Sequence, residues 1–323
     1  MKEIGGYFEL ELAQKEEYHF KAIKLNSGRN AFKYILKTQS IKKAYLPCFI
    51  CDSIVEPLQE LEIEYEFYNI DNNFEIVQKL DIKDNEKLFY INYFALKSEY
   101  IKRLTDMYSN KLIVDNTQAF FEKPIKNIDT IYSPRKFFGV SDGGYLYTSK
   151  TIADKLDVDE SSEKTIQLLG RIDKNATSFY DDYQKAEQRL MNLPIKNMSR
   201  LTQKILSSID YQTIQQKRKE NFKYLHSELK SINLLEIDES LKFTPFVYTL
   251  LSGGEIYTSL KTKLIENKIY VAKYWNEVLG RKSTTEIEKD FVNNIIPLPI
   301  DQRYSLEDMK RIIETIKGNY LNV

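Results

Sequence analysis

Over its first two-thirds the chain alternates short β-branched and aromatic runs with segments whose apolar residues recur at helical spacing. That alternation leaves few architectures open. Strands separated by helices pair in parallel, and the helices cover the faces of a single sheet. Lys43 to Leu46, Leu61 to Tyr68, Leu88 to Asn92, Leu112 to Val114 and Ile128 to Tyr132 read as strands. Tyr145 to Thr148 follows a Gly-Gly turn and is expected to run in the opposite direction. Ala31, Phe32, Ile35 and Leu36 share one helical face after a Ser-Gly pair, and a second helix is expected after Pro47. Ser98 is expected to cap a third, with Ile101, Leu104 and Met107 or Tyr108 on one face.

The later part of the chain changes character. Ser199 to Lys230 contains neither proline nor glycine, and Leu201, Ile205, Ile209, Phe222, Leu225 and Leu229 suit one or two long amphipathic helices. A smaller unit follows. Phe246 to Leu251 and Ile269 to Ala272 read as strands, Glu255 to Glu266 as a helix, and Gly253-Gly254 as a turn. Ser305 with Asp308 resembles a capping box ahead of Met309, Ile312 and Ile316. The expected fold class is α/β, with residues 1–210 forming a large domain around a mostly parallel sheet. Residues 211–323 form a smaller C-terminal α/β domain, with the boundary inside a connecting helix.

At 323 residues, with 42% apolar and 29% charged residues, the chain can bury a core without staples. Its 47 basic and 47 acidic residues cancel, so no net field favours nucleic acid or an anionic membrane. No apolar run approaches the ~20 residues that span a bilayer, and no apolar leader opens the sequence. The cytoplasm is the expected location.

Three local patterns carry chemistry. Ser27-Gly28-Arg29 stands ahead of the first helix. Unpaired amides and a positive dipole end there suit a phosphate, with a hydroxyl from Ser27, close backbone approach at Gly28 and charge from Arg29. Taken alone, Ser-Gly at that place is an ordinary helix cap. Asp115 ends a buried strand and Gln118 follows three residues later. Ligands of open α/β sheets sit at such strand ends, where a carboxylate can hold a pyridine nitrogen protonated. Taken alone, Asp115 is an ordinary turn cap. The third pattern runs from Ser133 to Gly144 and places Lys136 before Phe137 and Phe138, with Asp142-Gly143-Gly144 beyond. Aromatic neighbours would lower the ammonium pKa and free the amine for Schiff-base chemistry. Taken alone, any lysine is a surface lysine; the order of the three patterns is what singles this one out.

That order resembles the DegT/DnrJ/StrS family of sugar aminotransferases, which depend on pyridoxal 5′-phosphate (PLP) and have the aspartate-aminotransferase fold, fold type I. The resemblance implies that Lys136 holds PLP as a Schiff base and that Asp115 pairs with its pyridine nitrogen. Gln118 would approach the ring hydroxyl, while Ser27, Gly28, Arg29 and Ser133 would anchor the phosphate. Arg29 stands where the family has threonine. Cys51 falls at the family's ring-stacking aromatic within Leu46-Pro47-Cys48-Phe49-Ile50-Cys51, and Phe94 or Phe49 is a substitute ring. Asn92-Tyr93-Phe94-Ala95 resembles the family's His-x-Tyr-Gly strand end, with Ala95 for the glycine. Pro194 to Ser199 occupies the place of the family's Gly-x-Asn-x-Arg segment. By the same resemblance the substrates are an amino donor, glutamate, and a nucleotide-linked keto-sugar for polysaccharide or related glycan synthesis. The assembly is a homodimer with no nucleic acid or membrane partner.

Other classes compete. A sugar dehydratase of the same fold usually replaces the lysine, so Lys136 favours transfer. A non-catalytic sugar-nucleotide-binding relative would be free to lose lysine, aspartate and phosphate turn together. Cys48-Phe49-Ile50-Cys51 is a C-x-x-C, but the many βα units ahead of the small unit exceed a thioredoxin-like domain. A zinc site would need further ligands, and the two histidines, His19 and His226, lie far apart in sequence. No metal is expected. Trp275 reads as core of the small unit or as a neighbour of the substrate entrance.

Overall fold

The computed structural model describes residues 4–238, 240 and 242–320. Seven strands form the central sheet: β1 (Ile23–Leu25), β2 (Lys43–Pro47), β3 (Glu64–Tyr68), β4 (Glu86–Ile91), β5 (Leu112–Asp115), β6 (Asp129–Tyr132) and β7 (Gly144–Tyr147). Their spatial order is β1-β7-β6-β5-β4-β2-β3. Only β7 runs against its neighbours. The mostly parallel sheet expected from the sequence is therefore present, with the reversal at the strand that follows Gly143-Gly144. Strand β1, three residues long, is an addition that the apolar pattern does not announce.

Three helices pack around this sheet: α1 (Gly28–Thr38), α2 (Asp52–Glu60) and α3 (Ser98–Tyr108). The central strands are covered on both faces, so β4 and β5 read as continuous apolar runs, Leu88 to Ile91 and Leu112 to Val114, all buried. Asp115 closes β5, paired with Ile91 on one side and Ile131 on the other. This register brings the ends of β4, β5 and β6 to one edge, and Asn92, Asp115 and Ser133 with them. The α3 cap differs from expectation. Lys97 is the residue before the helix, and Ser98 is its first residue. The Ser98 hydroxyl instead accepts from the Asn92 amide at 3.1 Å, so it is tied to the end of β4 and not to the helix.

Beyond β7 come α4 (Ile166–Asp173), α5 (Tyr180–Gln188), α6 (Arg200–Leu206) and α7 (Tyr211–Leu229). The proline-free stretch is thus two helices. Ser199 caps the first through Thr202, and Asp210 caps the second by accepting from the Thr213 amide at 3.1 Å. A two-stranded sheet, β8 (Tyr248–Leu251) antiparallel to β9 (Ile295–Leu298), carries α8 (Gly254–Glu266), α9 (Glu286–Asn294) and α10 (Leu306–Tyr320). Phe222, Leu225, Tyr248, Leu260, Leu264, Met309, Ile312 and Ile316 form its core. The Ser305–Asp308 capping box is formed in both directions. Ile269 to Ala272 is not a strand. The segment alternates a buried Ile269 with an exposed Tyr270, but no strand of the small sheet pairs with it. Among the described residues no helix is long and apolar enough to cross a membrane, and no cluster of metal-ligating side chains is found.

His19 shows how the N-terminal segment is fixed to this body. Its Nε2 lies 2.7 Å from the Phe120 carbonyl, which can only accept, so Nε2 carries the proton. Nδ1, 3.2 Å from the Tyr147 hydroxyl, is then free to accept. Burial pulls the imidazole down to about 4. A depressed histidine pKa leaves stability intact above the unfolded value, near 6.5, and removes it as pH falls through the folded value. Acidification from pH 6.5 to 4 is expected to cost the fold roughly 3 kcal/mol through this residue, at 1.36 kcal/mol per unit. Denaturant unfolding at stepped pH checks this: the slope in that window should flatten in His19→Gln.

Candidate active site

The lysine loop begins where β6 ends. After Ser133 the chain enters a single 3₁₀ turn, Pro134–Lys136, with proline pre-setting its first position. Phe137 and Phe138 then dive into a cluster with Phe120, Phe121, Val140 and Tyr145, which anchors the loop just past the lysine. Lys136 Nζ donates to the Thr117 hydroxyl oxygen at 3.0 Å. The Thr117 amide donates to Asp115 Oδ1 at 2.7 Å. Lysine, threonine and aspartate therefore form one connected group at the carboxyl end of β5.

Their titration is linked. Solvent reaches the Lys136 side chain, yet the surrounding protein still strips water from the amine and lowers its pKa below the lysine norm. Asp115 and then Cys51 act in the opposite direction. Solvent access screens part of the desolvation. Burial raises the Asp115 carboxyl, while Lys136 and the Thr117 hydroxyl and amide favour its charged form.

Beside this group lies the start of α1. Ser27 caps it, accepting from the Asn30 amide at 3.0 Å, which leaves the Gly28 and Arg29 amides at the helix end. A Cβ placed on Gly28 would stand 3.4 Å from Thr117 Cγ2 and 3.7 Å from Ser133 Cβ. The helix start, Thr117 and Ser133 thus share one small space. Gly143 and Gly144 hold it together: the Gly143 amide donates to the Asn26 carbonyl at 2.8 Å, and a Cβ on Gly144 would fall 2.3 Å from the Ser27 carbonyl oxygen. Gly143, with φ +124°, also needs a conformation that side chains disfavour. Gln118 follows Thr117 in the chain. Its Oε1 accepts from the Phe94 amide at 2.8 Å, while its Nε2 is buried with no partner.

No protein-family model and no curated protein matches the chain. Solved structures do. The DegT DnrJ EryC1 StrS aminotransferase from Brucella abortus superposes with a TM-score of 0.61 at 16% identity, over 92% of this chain and 85% of that one. Helicobacter pylori PseC, an aminotransferase involved in the biosynthesis of pseudoaminic acid, gives 0.62 at 14%, over 94% and 87%. NtdA from Bacillus subtilis, with bound cofactor PMP, gives 0.65 at 14%, over 92% and 73%. The fold is that of these aminotransferases.

On this fold Lys136 and Asp115 meet at Thr117, and Thr117 and Ser133 lie beside Gly28, whose helix Ser27 caps; other side chains named from the sequence are engaged elsewhere. Arg29 is not turned toward Ser133. Its guanidinium pairs with Glu56 at 3.1 Å and donates to the Leu190 carbonyl at 2.5 Å, so the side chain ties α1 to α2. The Phe94 ring is fully buried, packed against Phe74 and Tyr274 at centroid distances of 5.8 and 5.9 Å; its backbone, not its ring, meets the site. Phe49 is equally committed, between Tyr93, Phe74, Phe291 and Trp275. Trp275 is thereby packed edge-on against Phe49 at a centroid distance of 4.6 Å. Cys51 precedes α2, half-buried and near enough to Lys136 to favour its charged form. Cys48 turns its thiol to Thr284 and Ser283, and both cysteines are free. Sequence reasoning missed Thr117, although it lies inside the Asp115–Gln118 pattern.

Proposed function

We propose that the chain is a PLP-dependent aminotransferase that moves an amino group from a donor such as glutamate to a keto-sugar, nucleotide-linked and destined for a surface polysaccharide or related glycan. The observation that carries this reading is the joining of Lys136, Thr117 and Asp115 directly beside the start of α1. The residues fit PLP. Gln118 has a buried donor with nothing to bond, a state that costs about 1–3 kcal/mol unless a ligand acceptor arrives. When bound, PLP supplies an aldehyde that condenses with amines and a ring that takes up electron density.

The chain's own residues then have definite tasks. Lys136 provides the amine that attaches the cofactor and afterwards moves a proton at the donor carbon. Asp115, a buried carboxyl whose charged form Lys136 and Thr117 favour against the burial that raises its pKa, is suited to hold a ring nitrogen protonated. Ser27, the Gly28 amide and Ser133 stand at the start of α1, where unpaired amides suit a phosphate. Homodimeric assembly and a cytoplasmic location belong to the same proposal.

Incubation with PLP, borohydride reduction and peptide mass spectrometry test it. The expected result is a phosphopyridoxyl adduct on Lys136, with loss of the visible absorbance on reduction. Recovery of Lys136 without the adduct sinks the reading.

A further inference from the structure

The Asp-x-x-Gln pattern leaves its two middle positions open, yet the residue at the second of them makes the one hydrogen bond to the lysine amine found among the described residues. We propose that Thr117 is the positioning residue for Lys136, its hydroxyl oxygen accepting from the amine at 3.0 Å while its own amide is fixed to the Asp115 carboxylate at 2.7 Å. The inference deepens the aminotransferase reading and rests on it.

Thr117 is itself held from three sides. It is buried, its backbone is bound to Asp115, and its methyl group abuts the start of α1 at Gly28. A β-branched side chain so confined has little rotamer freedom, and its hydroxyl is held between Asp115 and Lys136. The lysine is the opposite case. It has four rotatable carbons and solvent around them, and a freed amine on such a stem would sample many positions. A fixed acceptor at 3.0 Å keeps the amine beside Asp115 whenever it is not bonded to the cofactor, where it serves as the proton carrier.

The contact also has an electrostatic sign. An oxygen that accepts from an ammonium favours the charged form, and the same hydroxyl favours the charged form of Asp115. Both effects act against the desolvation that lowers the lysine pKa. Removing the hydroxyl removes both.

The test uses the cofactor-free full chain. Acetylation of Lys136 is followed by peptide mass spectrometry across pH in wild type, Thr117→Val and Thr117→Ser. Valine keeps the shape and loses the oxygen; serine keeps the oxygen. The midpoint of Lys136 labelling is expected to fall by about one pH unit in Thr117→Val, roughly tenfold more free amine below the midpoint, and to return in Thr117→Ser. With cofactor and glutamate, Thr117→Val should lower kcat and leave KM near wild type. An unshifted midpoint in folded Thr117→Val overturns the assignment, as does a shift that serine fails to restore. Should the valine variant not fold, Thr117→Ala against Thr117→Ser gives the same comparison. The labelling involves no PLP, so its failure is separate from failure of the borohydride experiment on the wild-type chain.

Discussion

Replacing Lys136 by alanine is expected to lower amino transfer from glutamate by roughly 10²–10⁴-fold, the range in which a positioned acid–base group contributes. The reason is local. Lys136 is the amine in direct contact with the Thr117–Asp115 pair, and the loop that carries it is anchored by Phe137 and Phe138. Lys136→Arg makes the argument sharper. Arginine keeps a positive charge near Asp115 but does not give up its proton at accessible pH. If the lysine acted only as a counter-charge, arginine would rescue the rate. If it acts through its free amine, both variants fall together. Stopped-flow absorbance of the half-reaction with glutamate measures this, with a thermal melt to show that each variant is folded.

How much of this was legible beforehand differs by the kind of signal. The central strands announced themselves because they are buried on both faces, as Leu88 to Ile91 and Leu112 to Val114 are. The reversal at β7 was legible from Gly143-Gly144, because the turn chemistry is local. Asp115, Gln118 and Lys136 were picked out by order and spacing, and the fold brings Asp115 and Lys136 together at Thr117. What failed was side-chain direction. Arg29 follows a phosphate-type turn, but a long side chain is free to choose its partner, and Glu56 on α2 offered one at 3.1 Å. Phe94 sits at the end of β4, yet its backbone there has φ 54°, which swings the ring into the core against Phe74 and Tyr274. Neither outcome is encoded in spacing. Ile269 to Ala272 failed for a different reason: period-two burial permits a strand, but a strand also needs a neighbour with an open edge, and that is a property of the whole small unit.

Thr117 and Asp142 illustrate the same limit from the productive side. Both lie inside patterns that the sequence reading used, and the partners that give them work are distant. Thr117 meets a lysine nineteen residues on. Asp142 meets the start of α6, fifty-seven and sixty residues on. A motif read along the chain identifies its chemistry-bearing end. The contacts that fix its geometry come from elsewhere in the fold.

Asp142 gives the second large expectation, on stability. The side chain is almost fully buried and accepts from the Ser199 amide at 2.8 Å, the Ser199 hydroxyl at 2.7 Å and the Thr202 hydroxyl. It binds the far end of the lysine loop to the start of α6, immediately before the two glycines that close on Asn26 and Ser27. In Asp142→Ala the two hydroxyls can rotate toward other acceptors, but the Ser199 amide cannot. Hydrogen bonds to a charged group contribute ~1.5–3 kcal/mol each, and a stranded buried donor costs a similar amount, so the net loss should be about 3–5 kcal/mol. Asp142→Asn keeps the shape and one accepting oxygen, while its amide faces the donors of Ser199 and Thr202, so it should lose roughly half as much. Denaturant unfolding measures both, and a graded loss, alanine beyond asparagine beyond wild type, is the signature of an acceptor shared by three donors. Equal loss in the two variants would instead place the cost in the charge alone. Retention of PLP after desalting should follow the same order, because the loop that carries Lys136 and the turn at Ser27 are held by one clamp.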